Sequence, residues 1–362
     1  MTSPQTQTTA ASAAGPVSEF AMRLASELVS GCSRYESDNV DEIRFPGRSW
    51  ADRVKNQLNE LAGRFGLFRV PLVDREIFGF AGLSGLYDLL EDEASKELLI
   101  RILAFRVLGD RHVRLPLNTP HYWALRRSVA KYIEDRGTIK GDSFLRDLHR
   151  FNIRGVRLNA HPLNILNTFL LEQYRCARAS VGVKPGDIVI DCGGCWGDTA
   201  LEFALTAGHV YCFECMPSNI AIFKKNLELN PALASKITLV GKALSGRSGE
   251  KLSFLDSGAG SRSSEGGSVE VETITIDDFV SENGIGRVDL IKMDIEGSEP
   301  VALAGARGTL LRSRPDLAIS LYHDIEHFVS IPAWLDGLNA GYRFYLDHFT
   351  IHLEETVLFC KA

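Results

Sequence analysis

Residues 183–199 constrain the fold of this chain more than any other stretch. They contain an apolar run over 188–190 that ends at Asp191, then a glycine-rich turn, then a helical pattern that opens at Asp198. A strand, a tight turn and a helix start in this order form the unit with which α/β sheets bind nucleotide-like cofactors. The stretch therefore predicts an α/β, Rossmann-like fold with a cofactor at this turn.

The details of the turn indicate which cofactor it takes. The turn has neither the G-x-G-x-x-G fingerprint of dinucleotide sites nor the Gly-Lys-Ser/Thr ending of a P-loop. It reads D-x-G-x-x-x-G, with an acid at the strand end and no lysine. That pattern suits a cofactor with hydroxyls, an amine and a positive sulfonium instead of phosphate, which indicates S-adenosylmethionine. The candidate cofactor-binding residues of this unit are Asp191, Gly193, Gly194, Gly197, Asp198 and Thr199.

A second acid follows the next predicted strand, residues 209–213, and supplies the other half of the cofactor site. In nucleoside-binding α/β sheets an acid at this position accepts hydrogen bonds from the ribose hydroxyls, so Glu214 is predicted to bind ribose. After the third predicted strand, 237–240, the sequence has no acid that could accept a hydrogen bond from the adenine amine. Adenine contacts are therefore expected from backbone groups or from Ser245.

The C-terminal half of the chain contains six short sequence motifs that follow one another in a fixed order. They are D-C-G-G-C-W-G-D-T at 191–199, F-E…P-S-N at 213–219, T-I-D-D-F at 275–279, I-K-M-D-I-E-G-S-E at 291–299, A-I-S-L-Y-H at 318–323 and E-T-V-L at 355–358. From about residue 185 onward the chain thus resembles FkbM-type methyltransferases. The resemblance implies methyl transfer from S-adenosylmethionine to a hydroxyl of a sugar, glycolipid or polyketide-like natural product. The fold we expect is a seven-stranded class I methyltransferase sheet with a final antiparallel strand at 356–361.

Three further polar residues follow later strands and are the candidate catalytic residues: Asp294, Glu296 and His323. Ligands of open α/β sheets bind outside the carboxyl ends of the strands, where all three should lie. Methyl transfer to an alcohol needs a general base, and His323 is the natural candidate because its ordinary pKa is near neutral. A divalent cation held by Asp294, Glu296 and His323 is the alternative, although no metal site is predicted. The simplest interpretation is that the two acids only fix the turn.

Four of the seven cysteines form two C-x-x-C pairs, at 192–195 and at 212–215, a spacing that is typical of structural zinc sites. Zinc is disfavoured because strand alternation sends Cys212 and Cys215 to different faces, and because a zinc there would occupy the space of the ribose. We expect reduced thiols and hence a cytoplasmic protein. Two other interpretations stay open: a non-catalytic cofactor-binding or zinc-stabilised interaction protein, and a nicotinamide-dependent oxidoreductase, which the missing fingerprint disfavours.

Length and composition set the remaining expectations. With 362 residues, 45% hydrophobic and 24% charged, the chain suits a soluble globular protein of about two domains. A net charge of −6 argues against a nucleic-acid partner, and no apolar run is long enough for a membrane span. We expect a small-molecule or glycan acceptor, and the sequence leaves homo-oligomerisation open.

The expected organisation has three parts. Residues 1–17 read as a disordered tail, 18–165 as a mainly helical N-terminal domain and 166–362 as the methyltransferase domain. The helical domain is expected to shape the acceptor pocket, with His161 and Tyr122 as candidate contacts, although a supporting role is favoured for each. A glycine- and serine-rich insertion at 247–272 is either mobile or folds over a ligand.

Overall fold

The computed structural model of this chain describes residues 18–36, 39, 82–140, 147–255, 262–263 and 267–362. The helices are α1 Glu19–Cys32, α2 Leu83–Leu89, α3 Glu93–Leu108, α4 Pro120–Ser128, α5 Pro162–Asn164, α6 Asp198–Ala204, α7 Pro217–Glu228, α8 Pro231–Ala234, α9 Ile276–Glu282, α10 Glu299–Ala304, α11 Arg307–Ser313 and α12 His327–Gly337, with a 3₁₀ turn at Val129–Tyr132 and a π-helix at Ile165–Leu170. The strands are β1 Ile133–Ile139, β2 Leu148–Ile153, β3 Val156–Ala160, β4 Ile188–Cys192, β5 His209–Phe213, β6 Ile237–Val240, β7 Ala243–Leu244, β8 Lys251–Leu255, β9 Arg262–Ser263, β10 Val269–Ile274, β11 Leu290–Met293, β12 Asp316–Ser320, β13 Arg343–His348 and β14 Thr356–Lys361.

Seven strands form one mixed sheet in the order β13-β14-β12-β11-β4-β5-β6. Strands β12, β11, β4, β5 and β6 are parallel, and β14 runs antiparallel to both of its neighbours. The predicted seven-stranded α/β sheet with a final antiparallel strand is therefore confirmed. Ligands bind such sheets at the carboxyl ends of the strands, so the site is sought at the turns after β4, β5, β11 and β12.

Successive residues of the central strands point to opposite faces of the sheet, and each face is covered. On β4, Ile190 and Cys192 join one hydrophobic core, whereas Val189 joins the other. This explains why the central strands are nearly continuous in apolar residues, as expected for a parallel sheet buried on both sides. A polar side chain in these strands therefore needs a partner inside the protein.

The N-terminal segment packs against both faces of the seven-stranded sheet. Helices α2 and α3 pack into the first core, and the segment from α4 to the π-helix packs into the second. The proposed domain boundary between residues 165 and 166 falls at the start of the π-helix, and both cores extend across it.

The expectation of a mainly helical N-terminal part needs one correction. Strands β1, β2 and β3 form a three-stranded antiparallel sheet between residues 133 and 160. Strands β2 and β3 are joined at Arg154 and Gly155, which have φ of 51° and 81°. Two consecutive residues with positive φ are typical of a type I′ hairpin turn, and the short Arg-Gly signal was too weak to predict it.

The polar insertion at 247–272 also contributes strands. Strands β8, β9 and β10, together with β7, form a four-stranded sheet in the order β7-β10-β8-β9. The predicted disordered tail, 1–17, lies outside the described residues. Within the described part of the chain, none of the helices has the length and apolar character that a membrane crossing requires.

Candidate active site

The glycine turn after β4 packs directly on the end of β11. Gly193 has φ of 88°, and a Cβ at this position would lie 1.9 Å from the Asp294 carbonyl oxygen, so only glycine fits. At Gly197, φ is 87° and a Cβ would lie 2.2 Å from the Phe223 ring. The backbone N–H groups of Gly193 and Gly194 both donate to the Phe213 carbonyl at 2.9 Å. The glycines thus bring the β4, β5 and β11 ends close together.

Asp191 is fully buried behind this turn, where it forms an ion pair with Lys292. The two residues lie opposite each other on β4 and β11, with Lys292 Nζ 3.0 Å from Asp191 Oδ1. Thr199 Oγ1 donates to the other carboxylate oxygen at 2.6 Å, and the Cys212 thiol donates to it at 3.3 Å. Direct contact of Asp191 with the cofactor is therefore corrected to a role in holding the turn.

Lys292 reaches further into the turn. Its ammonium donates to the carbonyl oxygens of Gly193, at 2.6 Å, and of Cys192, at 3.2 Å, and it lies 5.1 Å from the centre of the Tyr174 ring. Burial alone would lower the pKa of Lys292, but the carboxylates of Asp191 and Asp294 raise it above its ordinary value. Lys292 is therefore a permanent cation that fixes the glycine turn.

Two adjoining cavities open beside the turn and share Gly193, Cys195, Asp294 and Glu296. The smaller one, of about 80 Å³, lies beside Glu214 and is walled mainly by apolar side chains: Phe213, Leu244, Phe254 and Ile295. The larger one has about 360 Å³, and most of its lining residues are polar, Asp198 and Thr199 among them. Small-molecule sites occupy roughly 300–1,000 Å³. We refer to them as the Glu214 cavity and the polar cavity.

Glu214 stands at the end of β5, as predicted, and is 8% exposed. The Met216 backbone N–H donates to Glu214 Oε1 at 2.8 Å. Burial raises the pKa of Glu214 to about 6, against the hydrogen bonds that stabilise its anion. Ser245, the predicted adenine contact, uses its backbone N–H in a bond to Ile274, and the residues before it, Lys242 to Leu244, line the Glu214 cavity instead.

Asp198 lines the polar cavity and is hydrogen-bonded to the N-terminal segment. It begins α6, and it accepts hydrogen bonds from Thr168 Oγ1 at 2.7 Å and from Asn164 Nδ2 at 3.3 Å. Burial raises the pKa of Asp198, against these hydrogen bonds. Of the two N-terminal candidates, His161 lines this cavity, whereas Tyr122 is buried in the second core at 2% exposure.

His323, just after β12, lies among three carboxylates. Its Nε2 is 3.2 Å from Asp294 Oδ1 and 3.7 Å from Glu296 Oε2, and its Nδ1 is 3.0 Å from Glu299 Oε1. Burial would lower the pKa of His323, but Asp294 and Glu299 raise it to about 11. A ring that carries its proton at neutral pH accepts none, so the surrounding carboxylates disfavour His323 as the general base.

Asp294 is the anion that faces this imidazolium. Burial would raise its pKa, but His323 and Lys292 hold the pKa of Asp294 well below its usual range. The hydroxyls of Tyr174, at 2.7 Å, and Tyr322, at 3.1 Å, donate to it as well. Asp294 is therefore an ionised, fully oriented carboxylate at the mouth of both cavities.

Glu296 has a different environment. It stands in the turn after Asp294 with φ of 54°, a left-handed conformation that is uncommon for residues other than glycine, and it lines both cavities. Burial raises the pKa of Glu296 to about 7, against the attraction of His323. A carboxyl group that changes charge near neutral pH is suited to move protons.

Comparison with known proteins identifies the family to which part of this chain belongs. Residues 181–344 match the family described as the methyltransferase FkbM domain. This part of the chain is an FkbM methyltransferase domain.

Two relatives are similar to this chain in sequence or in fold. The curated 2-O-methyltransferase NoeI of Sinorhizobium fredii (strain NBRC 101917 / NGR234) is 27% identical over 155 residues, which are 36% of this chain and 62% of NoeI. The chain thus spans about three-fifths of the length of this relative. A crystal structure of methyltransferase FkbM from Methylobacillus flagellatus KT has a TM-score of 0.53 at 18% identity, over 86% of this chain and 71% of that one. At that identity the likeness shows the fold alone.

One side-chain cluster of the FkbM domain has the spacing of a metal site. Ligand atoms of Asp294, Glu299 and His323 lie within 4.8 Å of one another, and the His323 nitrogens make no regular hydrogen bond beyond their ion pairs. The C-x-x-C pairs form no such cluster among the described residues. Burial raises the pKa of the Cys192, Cys195 and Cys212 thiols well above the ordinary value.

Three residues that contact the candidate site were given no role in the sequence analysis: Lys292, Glu299 and Tyr174. Lys292 could have been recognised because it is a charged residue inside the apolar strand β11, and a buried ammonium requires a partner. Glu299 had the signal of an acid at the first position of a helix, α10. Tyr174 had none, since it comes from an irregular segment that meets Asp294 only in the fold.

Proposed function

We propose that this chain is an S-adenosylmethionine-dependent O-methyltransferase that acts on a hydroxyl of a sugar, glycolipid or polyketide-like small molecule. The observation that carries the proposal is Glu296, a carboxyl group with a pKa of about 7 that lines both cavities. A base is required in just this place, between a methyl donor on one side and an alcohol on the other.

The Glu214 cavity fits the nucleoside part of the donor. Glu214 would accept hydrogen bonds from the ribose hydroxyls, and the apolar walls formed by Leu244 and Ile295 would hold the adenine ring. At about 80 Å³ this cavity takes only part of such a ligand, so the rest would extend past Gly193 into the polar cavity. The carboxylates there suit the sulfonium and the ammonium group of the donor.

When bound, S-adenosylmethionine supplies an electrophilic methyl group. Glu296 then accepts the proton of the acceptor hydroxyl, which makes the oxygen a better nucleophile. Asp294, held by His323, Tyr174 and Tyr322, orients the acceptor oxygen through a hydrogen bond. His323 acts as a fixed positive charge that keeps Asp294 ionised and positions Glu296.

O-methylation is favoured by the description of NoeI as a 2-O-methyltransferase. The polar cavity also suits an alcohol-rich acceptor, since its lining combines hydroxyl and amide groups with three aromatic side chains, Tyr174, Trp196 and Tyr322. A metal-assisted variant of the same reaction is favoured by one observation, the spacing of Asp294, Glu299 and His323. In that variant a cation at this cluster would acidify the hydroxyl.

Calorimetric titration with S-adenosylmethionine and S-adenosylhomocysteine, followed by transfer of a labelled methyl group to a panel of sugars and glycolipids, tests the proposal. We expect micromolar binding of both compounds and base-stable methyl ethers as products. A chain that binds neither compound contradicts the proposal, and one that binds both but labels no hydroxyl is a non-catalytic binding protein.

A further inference from the structure

A third cavity, of about 560 Å³, adjoins the polar cavity and has no part in the proposed reaction, although its volume is in the range of small-molecule sites. We refer to it as the Arg175 cavity, after one of its lining residues. It shares Thr168 and Tyr174 with the polar cavity. The Thr168 hydroxyl donates to Asp198 at 2.7 Å, and the Tyr174 hydroxyl donates to Asp294 at the same distance. A molecule in the Arg175 cavity would therefore contact residues that orient two acids of the reaction site.

Part of the lining is a tight loop that holds Arg175 in place. Cys176 and Val181 pair through two backbone hydrogen bonds, of 2.9 and 3.1 Å, and Ser180 between them has φ of 55°. A Cβ at Gly182 would lie 3.1 Å from Arg175 Cγ, so the stem of Arg175 packs closely against this loop. A left-handed backbone at a residue other than glycine is found more often at ligand sites than elsewhere.

Arg175 and Lys184 are the cations that the cavity offers to a ligand. Arg175 donates through Nη1 to Glu172 at 2.8 Å, and its side chain is 63% exposed. A guanidinium has five N–H donors, so most of them remain for a ligand. Lys184 Nζ lies 3.1 Å from Asp316 and is 53% exposed, and Asp316 is also matched by Lys361 at 2.8 Å. Both cations can therefore attract an anionic group into the cavity.

Two carboxylates of the same lining suit hydroxyl groups of a ligand. Arg154 donates to Glu172 at 2.7 Å and to Glu202 at 3.2 Å. It also donates to the Phe169 carbonyl at 3.0 Å, so Arg154 is fixed as the partner of these two acids. Each carboxylate has about four acceptor sites, and most of them remain for hydroxyl donors. The lining thus combines cations with hydrogen-bond acceptors.

We propose that the Arg175 cavity is a second ligand site, which binds a small hydroxylated anion, either a sugar acid or a sugar phosphate. Arg175 and Lys184 bind the carboxylate or phosphate group, and Glu172 and Glu202 accept hydrogen bonds from the hydroxyls. An apolar ligand is disfavoured, because it would remove water from these charged groups without replacing their hydrogen bonds. The proposal goes beyond the proposed function, since this ligand is neither the methyl donor nor the methyl acceptor.

Three probes test the proposal: glucose, glucuronate and glucose 6-phosphate. Their binding to the full chain is measured by ligand-observed NMR, with and without saturating S-adenosylhomocysteine. We expect both anions to bind at least about tenfold more tightly than glucose, because charge-assisted hydrogen bonds are stronger than neutral ones. The preference should shrink at high salt and should persist when S-adenosylhomocysteine is bound. The tighter of the two anions shows which acidic group the site takes.

The double substitution Arg175→Gln/Lys184→Gln should reduce the affinity for both anions to that for glucose, and each single substitution should show part of this loss. The matched control, Arg127→Gln/Lys131→Gln, removes the same charges from exposed positions outside the cavity and should leave the affinities unchanged. Three outcomes would each overturn the proposal: anions that bind no more tightly than glucose, binding that S-adenosylhomocysteine abolishes, and an equal loss of affinity in the control.

Discussion

Lys292 Nζ lies 3.0 Å from Asp191 Oδ1 across two neighbouring parallel strands, and the two side chains are 2% and 0% exposed. Removing one partner of a buried ion pair leaves the other charge without compensation. We therefore expect Lys292→Met to lower the free energy of unfolding by about 3–5 kcal/mol, as measured by urea denaturation. The double variant Lys292→Met/Asp191→Asn should recover much of that loss. A double variant as unstable as the single one would show that Lys292 acts through its carbonyl contacts instead.

Glu296 provides the test of proton transfer. Glu296→Gln keeps the size of the side chain and removes the base, so we expect kcat to fall about a hundred- to ten-thousand-fold. The affinity for S-adenosylhomocysteine, measured by calorimetry, should change little. In the native protein, kcat should rise as the pH increases through about 7, because the carboxylate is the active form. A variant with native kcat would remove Glu296 from the mechanism.

Glu214 provides the matching test on the donor side. We expect Glu214→Gln to weaken S-adenosylhomocysteine binding about tenfold, since a charge-assisted hydrogen bond is roughly twice as strong as a neutral one. Native affinity should increase as the pH rises through about 6, where Glu214 becomes ionised. Glu228→Gln, at an exposed position near the end of α7, serves as the control. Loss of affinity in both variants would point to a general charge effect.

His323 links the stability of the protein to pH. Its pKa is about 11 in the folded protein and about 6.5 in an unfolded chain, so the folded state binds its proton more tightly. The stability that this proton provides is fully present below pH 6.5 and is lost as the pH rises towards 11. The difference in unfolding free energy between the native protein and His323→Gln should therefore shrink across that range. The exposed His121→Gln should show no such trend, and a pH-independent difference for His323→Gln would contradict the imidazolium assignment.

A chelator distinguishes the two forms of the proposed reaction. Because the His323 imidazolium already compensates the charges of Asp294 and Glu299, we expect full activity in EDTA and substoichiometric metal in the purified protein. Activity that is lost in EDTA and restored by Mg²⁺ or Mn²⁺ would favour the metal-assisted variant. One zinc ion per chain that is retained in EDTA would instead indicate a structural zinc site at the C-x-x-C pairs.

The sequence predicts where the polar residues of this site lie better than what they do. The ends of β4, β5, β11 and β12 follow from apolar runs that stop at an acid or a histidine, so Asp191, Glu214, Asp294 and His323 are found at one sheet edge. Their roles depend on register and on contacts between distant elements. Asp191 is paired with Lys292, which lies opposite it, and the pKa of His323 is raised because Asp294 and Glu299 lie beside its ring. Neither relationship is visible in spacing along the chain.

The N-terminal segment packs against both faces of the methyltransferase sheet and also supplies side chains to the polar cavity. The same segment thus shields the sheet from water and lines the cavity that we propose for the acceptor. A relative with a different N-terminal half would have to cover both faces of the sheet with other residues, and its pocket would differ as well. A change in this segment therefore alters the stability of the fold and the substrate range at the same time.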